Sequence, residues 1–294
     1  MLTLPRYEPG KSPNVAHNAS FMMPSSDKCH PSIALTIAGF DPSSGAGVTA
    51  DLQVFAAHGL FGTACISALT VQSTQGVASV SSVSPLIAPT LAYLDEDLPP
   101  DGIKIGMLGN AEAVDAVATF LRTRRRLEAP VVLDPVLLSS SGARLLDHDG
   151  IAALQTKLLP LVNWITPNIA ELAVLSGLPI EAADDIAPAM KALLRRFPHL
   201  YIVATGGHRD TPIDLLLTPT GELFRFEGVW VDTSSTHGTG CAFSSAILAR
   251  LILRDAPDAA VSSAKNYVFE ALRRAPEVGK GRGPLNLLWP LQAE

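Results

Sequence analysis

The feature that most constrains this chain is a series of short apolar runs, each apolar at successive positions rather than at alternate ones. They occupy residues 33–38, 63–71, 102–106, 130–133, 163–166 and 200–204. A strand that is apolar on both sides must be covered on both faces, the condition of a parallel sheet held between two layers of helices. Stretches with helical spacing follow most of the runs, at 47–58, 111–124, 169–176 and 186–196. Parallel strands need such crossovers, so the pattern predicts a three-layer α/β/α fold with a mostly parallel central sheet. Residues 212–218 and 222–231 flank Pro219-Thr220-Gly221 and predict an antiparallel hairpin towards the C-terminus. Helical patterns at 240–254 and 258–274 close the chain.

A chain of 294 residues can supply one large α/β domain, and the expected unit spans residues 31–294. Residues 1–30 lack periodicity and are expected to form a flexible extension. Within them Gly10-Lys11-Ser12 resembles the end of a phosphate-binding loop, but Pro5 stands where its first glycine belongs and no strand precedes it. The net charge of −6 excludes a general nucleic-acid binder, so an anionic ligand needs a local cradle. No apolar run is long enough to span a membrane, and the N-terminus lacks a secretory core, so the expected location is cytoplasmic. The three cysteines, Cys29, Cys65 and Cys241, have neither disulfide-framework nor metal-site spacing.

Cys241 has the most unusual neighbourhood. The segment Ser234-Ser235-Thr236-His237-Gly238-Thr239-Gly240-Cys241 leads into a helical pattern of small and apolar residues. Unpaired backbone N–H groups at a helix start, with glycines that let a ligand approach, form an anion site. The competing reading is a tight turn before a packed helix. Cys241 falls in the first helical turn, where the helix dipole favours thiolate; a small buried hydrophobe is the alternative. His237 is a rival base.

A second glycine cluster, Gly39-Phe40-Asp41-Pro42-Ser43-Ser44-Gly45-Ala46-Gly47, follows the first apolar run. It fits a loose dinucleotide fingerprint, but residues 69–72 lack the acid that reads the ribose, which disfavours a dehydrogenase. A substrate-binding turn followed by Asp51 on a helix is the other reading. Asp134 ends the run at 130–133, just before Pro135. Asn168 and Glu171, three apart at a helix start, share one face; they suit helix capping or, with Asp134, magnesium held partly through water.

Taken in order, these segments resemble the hydroxymethylpyrimidine/phosphomethylpyrimidine kinases of thiamine biosynthesis, in the ribokinase-like superfamily. The resemblance runs from about residue 33 to 274. It rests on Ala38 to Gly47 with Ala50-Asp51-Leu52, on Ala68 to Gln72, on Lys104 to Leu108, on Asp134-Pro135-Val136, on Thr166-Pro167-Asn168 with Glu171, and on His237 to Cys241. It implies a ribokinase-like fold and two ATP-dependent transfers, from a pyrimidine alcohol to its monophosphate and then to the diphosphate. Asp51 and Gln72 match positions that hydrogen-bond the aminopyrimidine, with Gly39, Met107 and Val136 lining its pocket. Cys241 matches the proposed general base, and Gly238, Thr239, Gly240 and Cys241 match the anion hole. Asp134, Asn168, Glu171, Thr205 and Gly207 match the Mg-ATP region, with Asp134 and Glu171 holding Mg2+ through water. A homodimer is implied as well.

The sequence departs from that pattern at Thr205, where the family commonly carries a lysine that meets ATP phosphates. Lys104 and Arg209 are the expected substitutes for its charge. Phe40 and Thr49 depart too, from a small and a longer polar residue. A pyridoxal kinase is the nearest alternative activity. A pyrimidine-binding homologue without catalysis is the alternative of another class, motivated by Thr205.

Overall fold

Strands whose neighbouring residues are both apolar point those side chains to opposite faces, and this sheet sorts them into two separate cores. The computed structural model describes residues 30–138, 145–206 and 212–292. Residues 1–29 of the expected extension, Cys29 among them, and Gly207 and Arg209 therefore lie outside the described residues. The strands are β1 (Ile33–Phe40), β2 (Phe61–Ser73), β3 (Gly76–Ser82), β4 (Gly102–Ile105), β5 (Val131–Leu133), β6 (Trp164–Ile165), β7 (Tyr201–Ala204), β8 (Asp214–Leu217) and β9 (Leu223–Phe226). They form one nine-stranded sheet in the order β3-β2-β1-β4-β5-β6-β7-β8-β9. The strands from β2 to β7 in that order pair in parallel, while β3, β8 and β9 pair antiparallel to their neighbours.

The helices are α1 (Gly47–Ala57), α2 (Ser84–Asp97), α3 (Ala111–Thr123), α4 (His148–Ala153), α5 (Ile169–Ser176), α6 (Ile186–Arg196), α7 (Thr239–Ile252) and α8 (Pro257–Arg273). Leu35, Ile37, Ile103, Val131, Leu133 and Ile165 pack on one side with Leu91 of α2, Val117 of α3, Leu172 of α5 and Met190 of α6. Their strand neighbours Ala34, Val132, Trp164 and Val203 pack on the other side with Phe55 of α1, Ile247 of α7 and Val261 of α8. This is the expected three-layer arrangement, and the β8–β9 hairpin is present, shorter than the apolar pattern suggests. Among the described residues no helix is long and apolar enough to cross a membrane.

Three elements escape the periodicity argument. β3 is rich in glycine, alanine and serine and its residues are largely exposed, so it shows no apolar run; pairing with the far half of β2 makes it a strand. α2 carries Pro89 inside it and a proline in its first turn, which reads as a break. α4 is only six residues long and contains Gly150. The chain leaves β1 for β2 on one side and reaches β4 on the other side of β1, so the strand order reverses between β1 and β4. At such a switch point the loops separate and leave a crevice at the strands' carboxyl ends.

Candidate active site

A cavity of about 680 Å³ opens at that crevice. It gathers Gly39, Gln72, Met107, Asp134, Val136, Asn168, Glu171, Thr205, Gly238, Thr239, Gly240 and Cys241, segments up to about two hundred residues apart in sequence. Its volume lies in the range typical of small-molecule sites.

The glycine-rich loops build its floor. Gly238 caps α7 with φ of +84°, a left-handed conformation, and gives the helix no side-chain cap. The helical ladder begins with the Ala242 N–H donating to Gly238 O, at 2.9 Å. The N–H groups of Thr239, Gly240 and Cys241 precede that ladder, as an anion cradle requires. A Cβ on Gly238 would overlap the carbonyl oxygen of Gly45, and one on Gly45 would overlap the His237 ring. The two glycine clusters thus belong to one structure. Asp41 locks them together: it accepts from the Ser43 and Ala46 N–H groups at 2.8 and 3.0 Å. His237 Nε2 lies 2.8 Å from Asp41 Oδ2 and 2.9 Å from Gln72 Nε2. Burial would raise the Asp41 carboxyl, but the hydrogen bonds from His237 and Ser43 outweigh it and hold the group below its usual value. His237 thereby has a loop-positioning contact, and Gln72 reaches the cavity as expected.

Asp51 does not reach it. The side chain is fully buried beneath the floor and takes both Lys104 N–H contacts, at 3.0 and 2.9 Å, with Thr36 Oγ1 donating at 2.5 Å and Ser245 Oγ at 2.7 Å. The expectation that Asp51 hydrogen-bonds a pyrimidine is corrected: its α1 position faces the sheet, and both its oxygens are already satisfied. Lys104 is corrected for the same reason. It is fully buried on β4 and committed to Asp51, so its ammonium cannot meet a phosphate in the cavity. Burial would strip its charge, but Asp51, then Cys241 and Asp134, more than offset that and raise its pKa.

Cys241 stands in the first turn of α7, half-buried, with Gly47 N–H donating to its sulfur. The thiol is not the dipole-activated thiolate that its position suggests. Burial pushes it up to about 11; Lys104 pulls the other way, and Asp51 and Asp134 add to the rise.

At the far side of the same floor, Asp134 directly follows β5 and accepts from Ser244 Oγ at 3.2 Å. Asn168 and Glu171 form a complete capping box on α5: each side chain accepts from the other's backbone N–H, at 3.0 Å in both directions. Glu171 Oε1 also accepts from Leu137 N–H at 3.3 Å. The capping reading is therefore realised, with the Glu171 carboxylate still on the cavity wall. Burial, then the neighbouring Asp134 charge, push Glu171 up to about 8; burial and Asp51, against Lys104, push Asp134 up to about 6. Thr166 Oγ1, also on the wall, is buried without a hydrogen-bond partner. Two crowded carboxylates and an orphaned hydroxyl fit a hydrated divalent cation. Among the described residues no group of three or more His, Cys, Asp or Glu gathers to enclose a metal directly.

The crowding has a testable sign. Glu171 holds its proton more tightly folded than unfolded, so stability is greatest below about 4.5 and falls as pH rises towards about 8. Asp134 adds the same trend between 3.8 and about 6. In metal-free buffer the wild-type Tm should drop by a few degrees from pH about 6 to about 8. Glu171→Gln keeps the capping box and should flatten that drop, and Mg2+ should reverse it in the wild type. A thermal-unfolding profile identical in both proteins would count against this account.

One wall of the cavity carries no motif in the sequence. It is made by Asp214, Trp230, Lys265, Asn266 and Phe269, from β8, the segment after β9, and α8. On α8 these residues read as an ordinary amphipathic surface, and only the packing of α8 across β8 brings them to a site.

A parallel sheet with its ligand crevice at the strand-order switch and a glycine-capped helix facing strand-end acids defines the ribokinase-like class. The family profile described as phosphomethylpyrimidine kinase matches residues 41–286. A hydroxymethylpyrimidine/phosphomethylpyrimidine kinase of Haemophilus influenzae is 39% identical over 259 residues, 86% of this chain and 95% of the relative. Among solved structures, a phosphomethylpyrimidine kinase of Clostridium difficile is similar with a TM-score of 0.71 at 33% identity, covering 82% of this chain and 99% of that one. A pyridoxal kinase of Bacillus subtilis, as an ADP complex, gives a TM-score of 0.79 at 27% identity, covering 90% and 100%. The chain belongs to the phosphomethylpyrimidine kinase family.

Proposed function

We propose that this protein uses ATP to phosphorylate 4-amino-5-hydroxymethyl-2-methylpyrimidine and then its monophosphate, giving the diphosphate for thiamine biosynthesis. The observation that carries the reading is the single cavity in which the α7 anion cradle, Cys241 and the acids Asp134 and Glu171 meet an apolar pocket wall of Met107 and Val136. In the first transfer the deprotonated form of Cys241 takes the hydroxymethyl proton as the alcohol oxygen bonds to the γ-phosphorus and the bond to ADP breaks. In the second the acceptor oxygen is already ionised and gives up no proton. The N–H groups of Thr239, Gly240 and Cys241 stabilise charge on the phosphoryl oxygens in both. Gln72 and the Gly39 backbone are assigned to the pyrimidine, and Asn168, Thr205 and Gly207 to the nucleotide side. Mg2+ held through water by Asp134 and Glu171 would neutralise the phosphates. A cytoplasmic homodimer, with neither nucleic-acid nor membrane partners, completes the proposal.

A second reading, pyridoxal kinase, draws on the TM-score of 0.79 to a pyridoxal kinase. An ATP-consumption assay with the pyrimidine alcohol, its monophosphate and pyridoxal, following each product, separates the two. Turnover of both pyrimidines in preference to pyridoxal is expected. Failure with both pyrimidines at adequate Mg2+ would overturn the assignment.

A further inference from the structure

The cavity wall is acidic, although a triphosphate has to bind within it. Asp41, Asp134, Glu171, Asp214 and Glu227 all line it, and among the described lining residues Lys265 is the one lysine or arginine. Thr205, directly after β7, offers a hydroxyl and no charge, and Lys104 is sealed below the floor by Asp51.

Lys265 lies midway along α8, and its side chain is 15% exposed. Its Nζ donates to Pro212 O at 2.9 Å and to Asp214 Oδ2 at 2.5 Å. An ammonium has three donors, so one remains for a ligand oxygen. Asp214 also accepts from Gly206 N–H through Oδ1, at 3.3 Å. Ala204 pairs with Leu215 across β7 and β8, which sets Asp214 beside Thr205 and Gly206. Through Asp214, Lys265 is therefore pinned at the strand end where Thr205 stands. Gly228 keeps this space open, because a Cβ there would come within 2.9 Å of Lys265 Cε.

We propose that Lys265 is the phosphate-binding cation of the nucleotide site, supplying from α8 the charge that position 205 lacks. The proposal rests on the reading of the chain as an ATP-dependent kinase. A charge-assisted hydrogen bond to a phosphate is a large enough contribution to measure directly as affinity.

The test is calorimetric binding of ATP, ADP and adenosine, with Mg2+ and without acceptor, to the full-length protein and its variants. Lys265→Met should weaken ATP and ADP by about ten- to a hundredfold and leave adenosine unchanged. Lys265→Arg should retain most of the affinity, and adding Thr205→Lys to Lys265→Met should restore part of it. Asp214→Asn, which loosens the hold on the lysine but leaves its charge, should weaken ATP less than Lys265→Met does and leave adenosine unchanged; Lys265→Gln takes the place of Lys265→Met if that variant does not fold. Equal weakening of ATP and adenosine, or no weakening at all, in the variants that remove the lysine would each overturn the assignment of Lys265 alone. A wild-type protein that binds none of the three ligands would overturn the kinase reading, and Lys265 with it.

Discussion

Replacing Cys241 by alanine is expected to slow phosphorylation of the pyrimidine alcohol by about 10²–10⁴-fold, the usual contribution of a positioned proton acceptor. Phosphorylation of the monophosphate should change by much less. An alcohol must lose its proton as it attacks phosphorus, whereas an ionised phosphate has none to lose. The pH dependence sharpens this test. Burial holds the Cys241 thiol up at about 11, so at neutral pH the sulfur is protonated and its basic form grows as pH rises. The first transfer should therefore accelerate between pH about 7 and 9, without a matching rise in the second, and Cys241→Ala should abolish the difference. Separate initial-rate assays of the two acceptors provide the measurement. Equal losses in both transfers would remove Cys241 from the role of base.

Gly238→Ala should instead damage both transfers together, by about 10²–10³-fold. Gly238 adopts φ of +84°, and a Cβ there would overlap the Gly45 carbonyl oxygen. Relief requires the loop before α7 to move away from the loop after β1. The Thr239, Gly240 and Cys241 N–H groups then leave the position from which they stabilise the phosphoryl group in either step. The left-handed backbone adds a stability cost of about 1–2 kcal/mol, visible in urea unfolding. A folded variant that keeps both rates near wild type would show that this cradle does not hold the transferring group. Together the two variants separate proton removal, needed once, from charge stabilisation, needed twice.

Much of the cavity is legible because its residues come as local motifs. Gly238 to Cys241 sit next to each other in sequence, and a glycine-rich turn before a small-residue helix has few structural solutions. Asn168 and Glu171 are tied by helical spacing, which is why both their capping bonds form. Gly39 stands at the carboxyl end of β1, and Met107 and Val136 follow β4 and β5; in a parallel sheet these ends of neighbouring strands meet on one side. Asp51 misleads for the opposite reason. Its position on α1 fixes the helix but not which side of that helix meets the sheet. Packing turns it towards Lys104, Thr36 and Ser245, where it satisfies a buried ammonium rather than a ligand.

The same division applies to the charge around the anion cradle. The apolar runs alone determine the parallel sheet, because only a sheet covered on both sides can bury them, and the ordered motifs place the crevice at its strand ends. Which cation faces a phosphate is a different kind of property. It depends on whether an ammonium is spent inside, as at Lys104, or left with an open donor at the wall, as at Lys265. Read along the chain, Lys104 stands between two isoleucines and Lys265 between Ala264 and Asn266, and neither setting tells which ammonium faces a ligand. The packing of α1 and α7 over β4, and of α8 over β8, separates them, since a buried charge takes the nearest carboxylate and only a partly exposed one keeps a donor for a ligand.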